Sequence, residues 1–331
     1  MGVAEAAPKK KTRSTAQARK DEIRVLKAQL GPLSERLEEL QHAKLLEGHD
    51  NMDDVMLENA LLRSGLKQTD LTLAGAQSLL ASSRAALGRN PLDVQIYLSA
   101  EPTLRHQALA TLRDARLREA TDFILERVRY LDLRRPHQEK EAFELPDGDH
   151  ISLRCEVVPF RTNASVKQAF EDVVMAVKQE EFTVWESLGV TTTFESDESP
   201  DLTYSQARGI STTPDGTQFE KNTAHFLMYS EGNNQLSVPH GLVVMHPIAY
   251  DEQFPYQPQF RVREDVTVVF LVCPLPGGGV VGIRWAHMRI HKPLCGITRV
   301  QEMRIRDISA RWGDIVRNNV LEAVFGRMLH V

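Results

Sequence analysis

Three cysteines, eleven histidines and a scatter of acids are the groups in this 331-residue chain that could do chemistry. None of them falls into a catalytic spacing. There is no Gly-x-Ser-x-Gly, and no cysteine, histidine and acid form a legible set, so nucleophilic catalysis has no support in the sequence. His287 and His291 are four apart, as two metal ligands on a helix would be. The Gly282–His291 stretch alternates like a strand, however, and four residues of strand span roughly 13 Å. Gly277–Gly279 is followed by strand signal and lacks the Lys-Ser/Thr of a phosphate loop, so it marks a hairpin tip. What remains is binding. Trp185, His225, His246, Trp285, His287 and Trp312 are the polar and aromatic side chains that could line a ligand cavity, and each in isolation also suits a satisfied core position. The chain is read as non-enzymatic, with no cofactor and no metal.

The elements that must position these residues follow from periodicity. The last helix, Ile308 to Met328, carries Ile308, Trp312, Val316, Val320 and Val324 on one stripe, with Ile315 and Ala323 beside them. Asp307 or Ser309 would cap it, and Gly313 and Gly326 suggest close packing against a neighbour. Ahead of it the chain is almost continuous strand signal. Strands are expected near 150–158, 183–194, 205–211, 218–229, 242–250, 259–272, 280–291 and 296–306. Pro214-Asp215-Gly216, Gly232-Asn233-Asn234 and Pro276–Gly279 punctuate them, and such short loops imply antiparallel hairpins. Two helices come earlier. One runs from about residue 102 to 132, with Pro102 at its first position, and the other from Ser165 to about Gln179. The first has an apolar set from Leu109 to Leu131 and eight arginines between Arg105 and Arg135, read as a solvated face of ion pairs. On the helix and strand parities, Trp285 and His287 share a sheet face that Trp312 would look at from the last helix.

The N-terminal part is different. Residues 1–21 form a basic arm expected to be disordered, in which Lys9, Lys10, Lys11, Arg13, Arg19 and Lys20 stand against the single acid Glu5 before Asp21. The net charge of −5 for the whole chain argues against wholesale coating of nucleic acid. Over 22–68 a ladder of Ile23, Leu26, Leu30, Leu33, Leu37 and Leu40 steps by three and four, the rule of a coiled coil, and fits either a homodimer or one amphipathic helix packed on its own domain, the homodimer ranking slightly ahead. Gly31-Pro32 is expected to kink or split that helix. A second ladder follows with Met52, Val55, Asn59, Leu62 and Leu66. Residues 69–90 read as linker or weak helix, and 91–331 as one domain. Widely spaced Cys155, Cys273 and Cys295 read as reduced thiols. With no apolar run of membrane-spanning length and no signal peptide, the expected location is intracellular, in cytoplasm or nucleus.

Strand, helix, a run of antiparallel strands and a long terminal helix together resemble the START-like helix-grip fold of the StAR-related lipid-transfer superfamily. KKKTRSTAQARKDEIRVLKAQL, MLENALLRSGL, FELPDGDHISLR and ISARWGDIVRNNVLEAV carry a further resemblance to oomycete proteins with a bZIP-like or coiled-coil segment ahead of such a domain. The resemblance implies an α+β domain of antiparallel sheet packed on a long C-terminal helix. It also implies an apolar, lipid-like ligand held against the sheet by Trp285, His287 and Trp312, with His246, Trp185 and His225 as further lining. The basic arm departs from the bZIP pattern. Arg19 has Lys11 eight residues before it where that pattern places Asn, and no Asn occurs in residues 1–50. Contacts to phosphate do not specify sequence, so the expected association with DNA is weak and non-specific. The alternatives are a bZIP-derived transcriptional regulator with a ligand-sensing domain and a ligand-free interaction scaffold.

Overall fold

The computed structural model describes residues 15–46, 51–86, 88–160, 164–178, 187–275 and 277–326, with backbone only for 15–23, 42–46, 51–55, 77–86 and 323–326. Lys9, Lys10, Lys11, Arg13 and Trp185 lie outside the described residues, as do the side chains of Arg19, Lys20, Ile23 and Val324. The chain divides into two units, residues 1–71 and 72–331.

The first unit is helical. Helix α1 spans Thr15–Leu46 and passes through Pro32 without ending, because one lost backbone bond does not undo a long helix. Helix α2 spans Asn51–Ala86, so the stretch 69–86 is helix where the sequence suggested a linker or weak helix. Leu26, Leu30, Leu33, Leu37 and Leu40 are all exposed, as are Leu62 and Leu66. The described leucines of the α1 ladder are therefore not covered by any of the described residues of their own unit.

The second unit contains β1 (Ile96–Leu98), α3 (Pro102–Val128), β2 (His137–Glu144), β3 (His150–Phe160), α4 (Val166–Lys178), β4 (Thr191–Glu198), β5 (Tyr204–Thr212), β6 (Gln218–Ser230), β7 (His240–Asp251), β8 (Arg261–Pro274), β9 (Val280–Ile290) and α5 (Arg299–Gly326). The sheet runs β2-β3-β9-β8-β7-β6-β5-β4, antiparallel along that path, with β1 added parallel to β7 and a short parallel pairing of β6 with β8. Local chemistry explains most boundaries. Glu101 caps α3 by accepting from the N–H groups of Thr103 and Leu104, with Pro102 following. Ser165 and Gln168 exchange hydrogen bonds at the start of α4, and Thr298 and Gln301 do so at the start of α5. That capping box starts α5 at Arg299, so most of the strand expected at 296–306 is the helix's first two turns. Of the strand expected at 183–194, residues 183–186 lie outside the described residues, 187–190 are not strand, and β4 begins at Thr191.

Successive strand residues point to opposite faces, and the two faces of this sheet are covered by different helices. On one, Phe226, Val244, Val269, Ile283 and Trp285 pack with Leu109, Leu117, Ala120 and Ile124 of α3. On the other, Phe160, Val243, Val272 and Val280 pack with α4 and Val320 of α5, while Phe219, Val262 and Ile290 pack with Ile305, Ile308 and Trp312 of α5. The result is an α+β, helix-grip architecture with its long terminal helix on one face. One arginine of α3 departs from the solvated face expected of it. Arg105 is fully buried and forks onto Asp251 of β7 at 2.6 and 3.1 Å, which pins the start of α3 to the sheet.

Two substitutions test this packing. Trp312→Ala removes a buried ring (4% exposed) from between Phe219 and Lys221. The expected cost is about 3–5 kcal/mol, read from urea midpoints. Gly241→Ala would put a Cβ 2.3 Å from the Phe170 ring of α4. Overpacking of this kind costs about 1–3 kcal/mol, and unchanged urea unfolding of this variant would contradict the seating of α4 on β7.

Candidate functional site

The histidines and tryptophans singled out in the sequence do not converge. Trp285 and His287 share a face, with ring centroids 6.3 Å apart, but that face looks at α3: Trp285 meets Phe123 edge-on at 4.7 Å. His246 is on the same side, 6.3 Å from Phe226. Trp312 is on the opposite side, packed against Phe219 with the Lys221 ammonium 3.3 Å from its ring centroid. The expected cluster of Trp285, His287 and Trp312 is thus divided by the sheet itself. The parity was read correctly, but the face was assigned to the wrong helix, because α3 competes with α5 for the sheet. Only His225 joins Trp312 on the α5 side, where its neighbour Leu227 packs with the α4 cluster.

Register shows what lies on that side. Arg154 of β3 pairs with Ala286 of β9, Ala286 with Val268 of β8, Val268 with Met245 of β7, Met245 with His225 of β6, and His225 with Ser205 of β5. The next row toward the α5 N-terminus contains Ser152, Met288 and Val266, with Pro247, Thr223 and Ala207 across β7, β6 and β5. In these two rows Ala286, Val268, Met245, Met288, Val266 and Pro247 remain only partly buried. The residues directly behind the first row, Cys155, Trp285, Val269, Val244 and Phe226, are all buried under α3. One face of the central strands is closed, and the other is an apolar floor that its helices leave partly uncovered.

The floor ends in polar groups on both sides. At the β3 end, Arg154 donates to Asp314 at 2.7 Å and to the carbonyl of Ala310, both on α5. Arg284 donates to the Gly313 carbonyl at 2.9 Å and lies 2.8 Å from the Glu156 carboxylate. A Cβ at Gly313 would sit 3.3 Å from the Arg154 guanidinium, so the close packing suggested by that glycine is against an arginine. Burial opposes the charge of Asp314, but Lys140 and Arg154 outweigh it and hold its carboxyl below the usual range. At the β6 end, the His225 ring is 2.8 Å from the Thr223 hydroxyl, and burial pushes its pKa down to about 4. Glu198 opposes that shift and Lys178 adds to it.

Two cavities open elsewhere. A groove of about 420 Å³ is lined by Phe170, Val174 and Met175 of α4, Leu202, and Leu227 and Tyr229 of β6. Arg113 of α3 and Met228 of β6, from the α3 side, also line it, so the groove lies at the edge of the sheet, and none of the floor residues lines it. A pit of about 40 Å³ beside Asp251 and Phe254 has room for a few waters only. Arg154, Ala286, Val268 and Met245 were missed in the sequence. The legible signal was a buried-strand pattern with one arginine in it, which needs a partner across the sheet.

Comparison with solved structures finds partial similarity to the crystal structure of human STARD10, with a TM-score of 0.35 and 9% identity over 55% of this chain and 73% of that one. No known family model matches the chain. No curated protein matches it either.

His246 and His287 give the fold a pH dependence. Burial pushes both imidazoles down to about 4, with Arg116 adding to it at His246 and Arg289 at His287, whereas an unfolded histidine titrates near 6.5. Between those values the unfolded chain binds more protons. Stability is therefore intact above about pH 6.5 and is lost as pH falls toward 4. The urea midpoint should drop over that window, and His246→Gln should flatten the fall.

Proposed function

We propose that the second unit binds an apolar, lipid-like molecule on the α5 side of its sheet, as a carrier or sensor and not as a catalyst, and that α1 assembles copies of the chain. The observation that carries the ligand reading is the difference between the two faces of the same strands. Val266, Val268, Met245, Ala286 and Met288 keep accessible apolar surface, while Thr267, Val269, Val244, His246, Trp285 and His287 between and beside them are buried. Leaving several apolar side chains uncovered forgoes roughly 25 cal/mol for each Å², and a ligand laid across the floor would recover it. From β6 to β9 the floor crosses three strand spacings, about 14 Å. The 420 Å³ groove beside α4 is of ligand-pocket size and shares strand β6 with the polar end of the floor. Trp312 serves in this reading as part of the packing that holds α5 over the floor.

Assembly rests on the α1 ladder. Leu30 and Leu33 are 62% and 68% exposed and continue the three-four spacing of Leu26, Leu37 and Leu40. A row of this kind is stabilised when a second helix covers it.

Native mass spectrometry of the purified full chain, followed by solvent extraction, is the direct experiment. It should release an apolar small molecule, and Ala286→Trp, which fills the middle of the floor, should lower its occupancy at least about tenfold, a 1.4 kcal/mol effect. No extractable molecule, together with no binding of an apolar dye such as Nile red, would sink the ligand reading. Removing residues 1–86 should reduce the mass per particle in light scattering and leave residues 87–331 folded. Equal association states for the two proteins would remove α1 as the assembling element.

A further inference from the structure

We infer that α2 is an assembling surface in its own right, and that its partner is the α2 of a second copy of this chain, lying parallel and in register so that Asn59 faces Asn59. This goes beyond the assembly assigned to α1 and is independent of any ligand.

The seam is read from spacing and exposure together. Asn59, Leu62, Leu66 and Leu73 of α2 are separated by three, four and seven residues, with Thr69 between the last two. In heptad terms Asn59, Leu66 and Leu73 take the a position, and Leu62 and Thr69 the d position. Leu62 and Leu66 are 60% and 64% exposed, Leu73 is 39% exposed, and Asn59 is exposed beside them. Leucines alone would accept any apolar helix in either direction.

Asn59 and the charges beside the seam narrow that choice. A side-chain amide both donates and accepts, and covering it with an apolar side chain leaves its polar atoms unpaired at a cost. The α1 ladder offers no polar partner, being leucine at Leu26, Leu30, Leu33, Leu37 and Leu40. In an antiparallel pair an a position faces a d position, and the d position that could satisfy Asn59 is Thr69. That register also sets Leu62 against Leu66, but it brings the e position, Arg63, against Arg63 of the other copy. A parallel pair in register lets each Asn59 amide bond to the other. It also places Glu58, at g, beside Arg63, at e, of the facing helix, and twofold symmetry repeats the ion pair. Polar matching and charge thus favour the same arrangement, and both Glu58 and Arg63 are exposed to make the contact.

Disulfide cross-linking of the full chain tests this. Cys155 and Cys273 are buried, so a Cys295→Ser background limits cross-linking to an introduced thiol. In that background Leu62→Cys and Leu66→Cys should each form covalent dimers in oxidised glutathione, because only a parallel register sets a seam residue against itself. In an equal mixture of the two chains, links joining like positions should outnumber links between 62 and 66 by about tenfold, the cost of leaving one amide unpaired. Asn59→Leu added to both chains should relax that preference toward equal yields. Predominant links between 62 and 66 would show the antiparallel pair and overturn the inference, as would a preference that Asn59→Leu leaves intact. Particles of two chains in light scattering with no cross-link of either kind would also overturn it, while leaving assembly through α1 standing.

Discussion

Two arginines rising from the sheet to the backbone of the last helix are the contact on which the rest of the second unit depends. Arg154 reaches the Ala310 carbonyl and Asp314, and Arg284 reaches the Gly313 carbonyl, with Glu156 beside it. Burying guanidinium groups is costly unless every one is paired, and removing a partner from such a set costs more than the set contributes. That asymmetry makes the contact a positional constraint. Strands β3 and β9 hold α5 at a fixed height and register, and Gly313 is small where a side chain would crowd Arg154. Below the arginines, Ile305, Ile308 and Trp312 seal the helix to Phe219, Val262 and Ile290. Above them Val320 joins the α4 cluster. Contact at both ends and a polar clamp between them support α5 without requiring it to lie flat on the central strands.

The partly open floor follows from that support. A helix resting flat on Val268 and Ala286 would bury them as α3 buries Val269 and Trp285 on the other face. The same five strands thus do two things at once, because alternate side chains belong to different environments. The α3 face provides the hydrophobic core, with Arg105 locked to Asp251 at its edge. The α5 face provides room.

The N-terminal unit obeys a separate logic. Its leucines recur at coiled-coil spacing but cover nothing within their own helix, and α2 continues to Ala86. Among the described residues that ladder stays exposed.

Local signals determined much of this protein. Glu101-Pro102 starts α3, Asp147-Gly148 turns β2 into β3, the alternation of Val280–Ile290 makes β9, and the stripe through Ile308, Trp312 and Val320 marks α5 as a packing helix. Each of these depends on residues within a turn or two of one another, which is why the α+β class and most of the order of elements could be read directly, while β1 and β2 were not expected and the start of α5 was read as strand. Thr298 and Gln301 also hold a local signal, a capping box, but β-branched Ile297, Val300 and Ile305 obscured it with strand character. What no local signal could decide is which helix covers which face. Period-two alternation states that Trp285 and His287 share a side, and it is silent on whether α3 or α5 occupies that side. The competition is settled by pairings more than a hundred residues apart, Arg105 with Asp251 and Arg154 with Asp314. For the same reason Trp312 and Trp285 are separated by the sheet, and a row of unremarkable residues, Ala286, Val268, Met245 and His225, becomes the candidate site only when four strands are laid in register.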